Sequence, residues 1–217
     1  MTDANLFGRA VSLGQIERRL TAHCRLWFPS YLRNAEREEG VKADGVTPHQ
    51  VGTLPLPKAW EATQGRVDKW PAAQLPAVVF GSPGLDGDGL RRDGRGNHAG
   101  AFVFAFSAVT SGRDDRSTRW LCGVYTAALR LLFIQQPDVE GLPVESCAYE
   151  DESYDDLPYS RTGALMSGTV SFTLGLGGLG SARSGPMAPL PEPSTDPGPH
   201  PVVTETSLEM ERRPVAD

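Results

Sequence analysis

The sequence predicts an α+β domain: a mostly antiparallel four-stranded sheet with helices packed on one face, followed by an extended C-terminal arm. Three observations carry this. Val170, Phe172, Leu174 and Leu176 alternate with Ser171, Thr173 and Gly175, the period of a strand with one apolar face. Trp120, Val124, Ala128, Leu131 and Leu132 recur at helical spacing ahead of Pro137, which ends the helix. From Gly180 on, eight of the chain's 18 prolines crowd into 38 residues with few apolar side chains, too little buried surface to offset the entropy of ordering. The expected organisation is one domain over residues 1–179 and a Pro-rich arm over 180–217.

The elements follow in order. Ser12 and Gln15 have capping-box spacing. Ile16, Leu20, Cys24, Trp27 and Tyr31 then make one helical face. Pro29 removes a backbone donor and is expected to kink this helix or begin a second one, and Gly40 is a stop. Residues 41–75, with Pro48, Pro55, Pro57 and Pro71, read as irregular, with Trp60 and Trp70 as anchors onto the domain. Ala77, Val78, Val79 and Phe80 form a short buried strand. Residues 81–100 carry seven glycines and read as an oversized hairpin tip. The returning strand over 100–109 sets Phe102, Phe104 and Phe106 on one face and Ala101, Val103 and Ala105 on the other. Asp114 and Asp115 cap and charge the next helix. Residues 144–154 form a strand that turns acidic, and 165–176 close the pattern.

Charge and cysteine usage narrow the function classes. Twenty-one basic and 27 acidic residues give a net charge of −6, which argues against nucleic-acid binding as the main task. Cys24, Cys122 and Cys147 are odd in number and widely spaced. That spacing gives neither a disulfide framework nor a zinc pattern, and it fits a reducing compartment. The N-terminus has no charged-then-apolar signal pattern, and no apolar run is long enough to span a bilayer.

The motifs that could carry chemistry fail in their context. Gly175-Leu176-Gly177-Gly178-Leu179-Gly180 spells GxGxxG after a strand. A dinucleotide site needs a helix N-terminus there, and Ser181-Ala182-Arg183-Ser184-Gly185-Pro186 has no helical pattern. Asp86-Gly87-Asp88-Gly89 lacks the remaining ligands of a calcium loop. His23, His49, His98 and His200 are scattered, without partners at metal spacing. No cofactor, metal or nucleotide requirement is expected. Two charged stretches remain as candidate interfaces. Arg91, Arg92 and Arg95 share the hairpin tip, where a phosphate or an acidic partner would find them and where solvent otherwise would. Glu150, Asp151, Glu152, Asp155 and Asp156 lie within seven residues; they read as a solvated strand end, or as a surface whose field multiplies in an assembly. Val202 and Val203 begin a strand-forming segment over 202–210, expected to order only against a partner's sheet edge.

From residue 76 to 177 the layout resembles the tail terminator proteins of long-tailed bacteriophages. The resemblance lies in Leu75-Pro76-Ala77-Val78-Val79 leading to Ser82-Pro83-Gly84. A long hairpin and an amphipathic helix come next. The acidic, tyrosine-bearing strand over 149–154 and the closing strand Gly168-Thr169-Val170-Ser171-Phe172-Thr173-Leu174 complete it. The leading helix and the Pro-rich connector fit as well; the C-terminal arm is outside the family pattern. The resemblance implies a non-enzymatic virion protein of the tail and neck, assembled in the host cytoplasm. It implies a ring, hexameric in such families, that caps the tail tube and joins it to the head-tail connector or stopper protein. DNA would pass through the bore without specific binding, and no membrane is involved. Two other classes are open: another neck or head-completion subunit, separated by the virion layer it contacts, and a small-molecule enzyme. The enzyme would need a polar constellation, for which residues 150–156 with His98 are the place to look.

Overall fold

The computed structural model describes residues 13–62, 72–85, 91–92, 98–160 and 163–179. The elements run α1 (Leu13–Glu39), β1 (Ala59–Ala62), β2 (Ala77–Leu85), β3 (Arg91–Arg92), β4 (His98–Ser111), α2 (Asp115–Gln135), β5 (Val144–Ser160) and β6 (Gly163–Leu179), with a short 3-10 turn at Ala72–Gln74. The fold is α+β. Its sheet is mixed and wider than four antiparallel strands: the order is β1-β2-β4-β6-β5, with β3 beside β4. β1 runs parallel to β2, Ala59 opposite Ala77 and Ala62 opposite Phe80. Its four residues carry no readable alternation, so the sequence over 41–75 concealed it. It forms because it gives the edge of β2 a backbone partner while Trp60 packs edge-on against Phe28, ring centroids 5.5 Å apart.

Both helices lie on one face of the sheet. α2 packs on β4 and β6, and α1 packs on α2 and reaches β1 and β2. The core joins Phe80, Phe104, Phe106, Val170, Phe172 and Leu174 of the sheet to Val124, Leu129, Leu132 and Phe133 of α2 and Ile16, Leu20, Cys24 and Phe28 of α1. Burial of each large apolar side chain contributes about 1.5–3 kcal/mol. α2 is buried on two sides, so Cys122, Tyr125, Leu129 and Phe133 join the predicted stripe while Trp120 and Leu131 are only partly buried. Its N-cap is as expected: Asp114 Oδ1 accepts from the Ser117 amide at 2.7 Å, and Ser117 Oγ accepts from the Asp114 amide at 3.0 Å.

α1 is one helix through Pro29, not two. Its buried ridge runs Ile16, Leu20, Cys24, Phe28 and then Tyr31, Leu32 and Ala35, an i, i+4 row. Trp27, assigned to that ridge by spacing, is instead 37% exposed on its shoulder. Gly40 ends the helix with φ +68°, the left-handed conformation that favours glycine. Ser12, Trp70 and Pro71 lie outside the described residues.

The segment after α1 is tied down by a buried carboxylate. Glu36, 1% exposed, accepts from His49 Nε2 at 2.8 Å, the Gly52 amide at 2.7 Å and the Leu54 amide at 3.0 Å. Burial raises the Glu36 carboxyl, and the three donors together outweigh it and hold the group below the usual carboxylate range. Tyr125 Oη donates to the Pro55 carbonyl, and Arg116 donates to the Asp44 carbonyl at 3.0 Å. These bonds give a proline-rich loop partners for its polar groups without regular structure.

The sheet's second face carries small and hydroxyl side chains. Val103 pairs with Thr173, Ala105 with Ser171 and Ser107 with Thr169, and the Ser107 and Thr169 hydroxyls are 2.7 Å apart. At one end of this face Leu75, Ala77, Val79, Val109 and Leu165 form a second buried cluster. Neither α1 nor α2 lies on this face. None of the described helices is long and apolar enough to cross a membrane.

Candidate interaction surface

The acidic run lies on the sheet's edge. β5 ends the strand order, so among the described residues it has β6 on one side and no strand on the other. Alternation divides the run between two faces. Glu152, Tyr154 and Asp156 pair with Val170, Gly168 and Met166 and face the helices. Arg130 of α2 donates to Glu152 Oε2 at 2.7 Å, Tyr154 Oη donates to Glu152 Oε1 at 2.5 Å, and Arg119 sits 4.0 Å from Asp156. Burial and the bond to Glu152 raise the Tyr154 hydroxyl, so it stays a donor. Asp151, Ser153 and Asp155 face the other way, opposite Ser171, Thr169 and Ser167. Glu150 falls at the bulge between Tyr149 and Asp151, which bends an edge and discourages pairing. Glu150, Asp151 and Asp155 are exposed, and the Asp151 carboxylate accepts from the neighbouring Glu152 amide at 2.7 Å. The strand thus keeps part of its charge compensated by α2 and presents the rest outward.

The sequence missed these counter-charges. Arg119 and Arg130 are eleven residues apart, about three helical turns, and so share a face. That spacing was the available signal.

The predicted hairpin tip is partly strand. β2 continues through 81–85, where a bulge lies between Gly81 and Gly84, and β3 pairs Arg91 with Ala99 and Arg92 with His98. Arg91 is exposed. Arg95, Val202, Val203, the Asp86–Gly89 motif and the whole arm over 180–217 lie outside the described residues.

His98 and the acidic run are not brought together. His98 pairs with Leu179 and Asp151 with Ser171 of the same strand, so eight residues, about 26 Å along β6, separate them. The enzyme reading loses the one constellation it singled out. The glycine motif at the end of β6 has a packing cause. A Cβ on Gly175 would lie 2.3 Å from Ser146 Oγ, and one on Gly177 would lie 1.7 Å from the Glu145 carboxylate; the glycines make room for β5. Gly175 and Gly177 are strand residues, with no helix start among the described residues here. The thiols are held protonated: burial raises Cys24, and pushes Cys122 and Cys147 each up to about 11. His23 is 6% exposed, and its Nε2–H donates to the Gln136 carbonyl at 2.9 Å. Burial, partly offset by that bond and by Asp138, lowers its pKa and keeps it neutral. It lines a cleft of about 540 Å³ with Arg19, Leu26, Trp27, Asp138 and Glu140. Among the described residues no three His, Cys, Asp or Glu side chains cluster as a metal site would require.

No protein-family model matches this chain, and no curated protein does.

Proposed function

We propose that this chain is a structural subunit of a closed homo-oligomeric ring, six-fold, of the kind formed by the phage tail terminators it resembles. In this reading it caps the tail tube and joins it to the head-tail connector or stopper protein within the virion. Its work is contact, not catalysis. The observation that carries the reading is the one-sided cover of the sheet. Among the described residues both helices occupy one face, while the part of the other face away from the Leu75, Val109 and Leu165 cluster, and the long acidic β5 edge, carry neither helix nor strand and would serve contacts between copies. In a ring, the outward carboxylates Glu150, Asp151 and Asp155 repeat around the assembly. A negative field of that kind repels DNA and lets it slide through a bore.

The virion layer tests the assignment. An antibody label on this protein is expected at the head-proximal end of the tail tube, between tube and connector. Label confined to the capsid shell or the tail tip would contradict the terminator role.

A further inference from the structure

The cleft beside His23 has a composition that the chain's own arm matches. α1 forms one wall with Ala22, Leu26 and Trp27, and the turn between α2 and β5 forms the other with Val139 and Leu142. Val139 is 3% exposed and fixes that turn to the core, and the Leu142 amide donates to the Val139 carbonyl at 3.0 Å. Gly141 has φ +80°, and a Cβ there would sit 2.7 Å from Arg19 Cζ, so the turn closes tightly against α1 at this point. The mouth carries two adjacent large apolar side chains, Leu26 at 69% and Trp27 at 37% exposed. Such a pair beside an apolar floor is a patch, not a scattered surface residue. The rim is divided by charge. Arg19 stands on α1, Asp138 and Glu140 stand on the turn, and all three are exposed. Among the described residues none of the three forms an ion pair. With its proton on Nε2, His23 offers Nδ1 as an acceptor. An occupant therefore needs apolar side chains for the mouth, cations for the carboxylates and a backbone donor.

Residues 208–213 meet these terms. In an extended segment Leu208, Met210 and Arg212 share one side, and Glu209, Glu211 and Arg213 share the other. Two apolar side chains are followed by two arginines, which equal the rim carboxylates in number, and the glutamates between them answer Arg19. Residues 1–12 hold Leu6 and Phe7 but one arginine, Arg9, for the two carboxylates. The arm also begins beside the cleft. Val144, which lines it, pairs with Leu176, and the Gly177 amide donates to the Pro143 carbonyl at 3.0 Å. Leu179 lies three residues beyond Leu176 along β6, about 10 Å. The 28 residues of 180–207 span about 30 Å as a coil and about 85 Å in polyproline form, so the arm can turn back on its own fold. We propose that residues 208–213 dock in this cleft of their own copy. Leu208 and Met210 cover Leu26 and Trp27, Arg212 and Arg213 meet Asp138 and Glu140, and a glutamate meets Arg19. The tether raises the effective concentration of the segment, so weak groove contacts suffice. This returns the end of the arm to its own fold, where the sequence pattern pointed to a partner's sheet edge, and it does not depend on the ring reading.

Photo-crosslinking of the full-length protein tests it, on an equal mixture of isotope-labelled and unlabelled copies. Met210→benzoylphenylalanine is expected to link to peptides covering 22–27 or 138–142, as same-label pairs only. R212E/R213E lowers that yield about tenfold, since two rim pairs are lost and turned repulsive. D138K/E140K lowers it too, and the combined variant recovers it. An unchanged melting temperature reports that D138K/E140K is folded, and R212E/R213E, which changes only the arm, decides the matter if it is not. Links spread over the surface and indifferent to the charge reversals overturn the docking. Mixed-label pairs to the same peptides place the segment in a neighbour's cleft and overturn the own-copy assignment. Links to the cleft from Phe7→benzoylphenylalanine and none from position 210 assign the cleft to residues 1–12 and overturn the choice of segment.

Discussion

Phe172→Ala is expected to destabilise the fold by about 3–5 kcal/mol, the usual cost of emptying a buried phenylalanine site. Phe172 is 1% exposed in β6, between β4 and β5, where it pairs with Phe104 and Tyr149. Its ring meets Phe133 of α2 at 5.1 Å and Tyr149 of β5 at 5.7 Å. It therefore joins the sheet to the helix layer, and neither side can collapse into the cavity without shifting a whole element. Thermal unfolding should fall by about 10 °C for a chain of this size. An unchanged melting temperature would mean that the apolar face of β6 is misassigned.

Glu36→Gln is expected to cost about 2–3 kcal/mol at neutral pH, because an amide cannot accept from all three donors and leaves a buried N–H unsatisfied. The Glu36 and His49 side chains are 1% and 4% exposed, so water offers little substitute. The pH dependence has a definite sign. The folded carboxyl is held below its ordinary range, so its contribution is present above the unfolded pKa of about 4.3 and is lost as pH falls through the lower folded value. The stability gap between the wild type and Glu36→Gln should narrow on acidification below about pH 4. A gap that is flat from neutral to strongly acidic pH would show that the ionised carboxylate is not what holds the segment after α1.

The strands with clean alternation and the capped helix α2 were legible because local pattern and tertiary burial agree there. β6 and the Phe102, Phe104, Phe106 face are examples. β1 was hidden because its four residues become a strand only through pairing with β2 and packing of Trp60 on Phe28. The latch on Glu36 was hidden for a related reason: its donors come from 13 to 18 residues away, and a glutamate on a helix face ordinarily reads as solvated. Trp27 was misplaced because spacings of three and four both fit a helix, and only the position of α2 decides that Phe28 is the buried neighbour. The candidate interface was legible as composition alone. That its carboxylates divide between arginine-paired and outward-facing sets follows from the β5–β6 register and from Arg119 and Arg130, and no stretch of sequence carries a register across two strands.

Electron microscopy of the assembled protein tests the central claim most directly. The account predicts closed rings with a central opening and six copies each, seen both for the protein assembled on its own at high concentration and at the head-proximal end of tails. A single copy per assembled particle, or open filaments in place of closed rings, would contradict it.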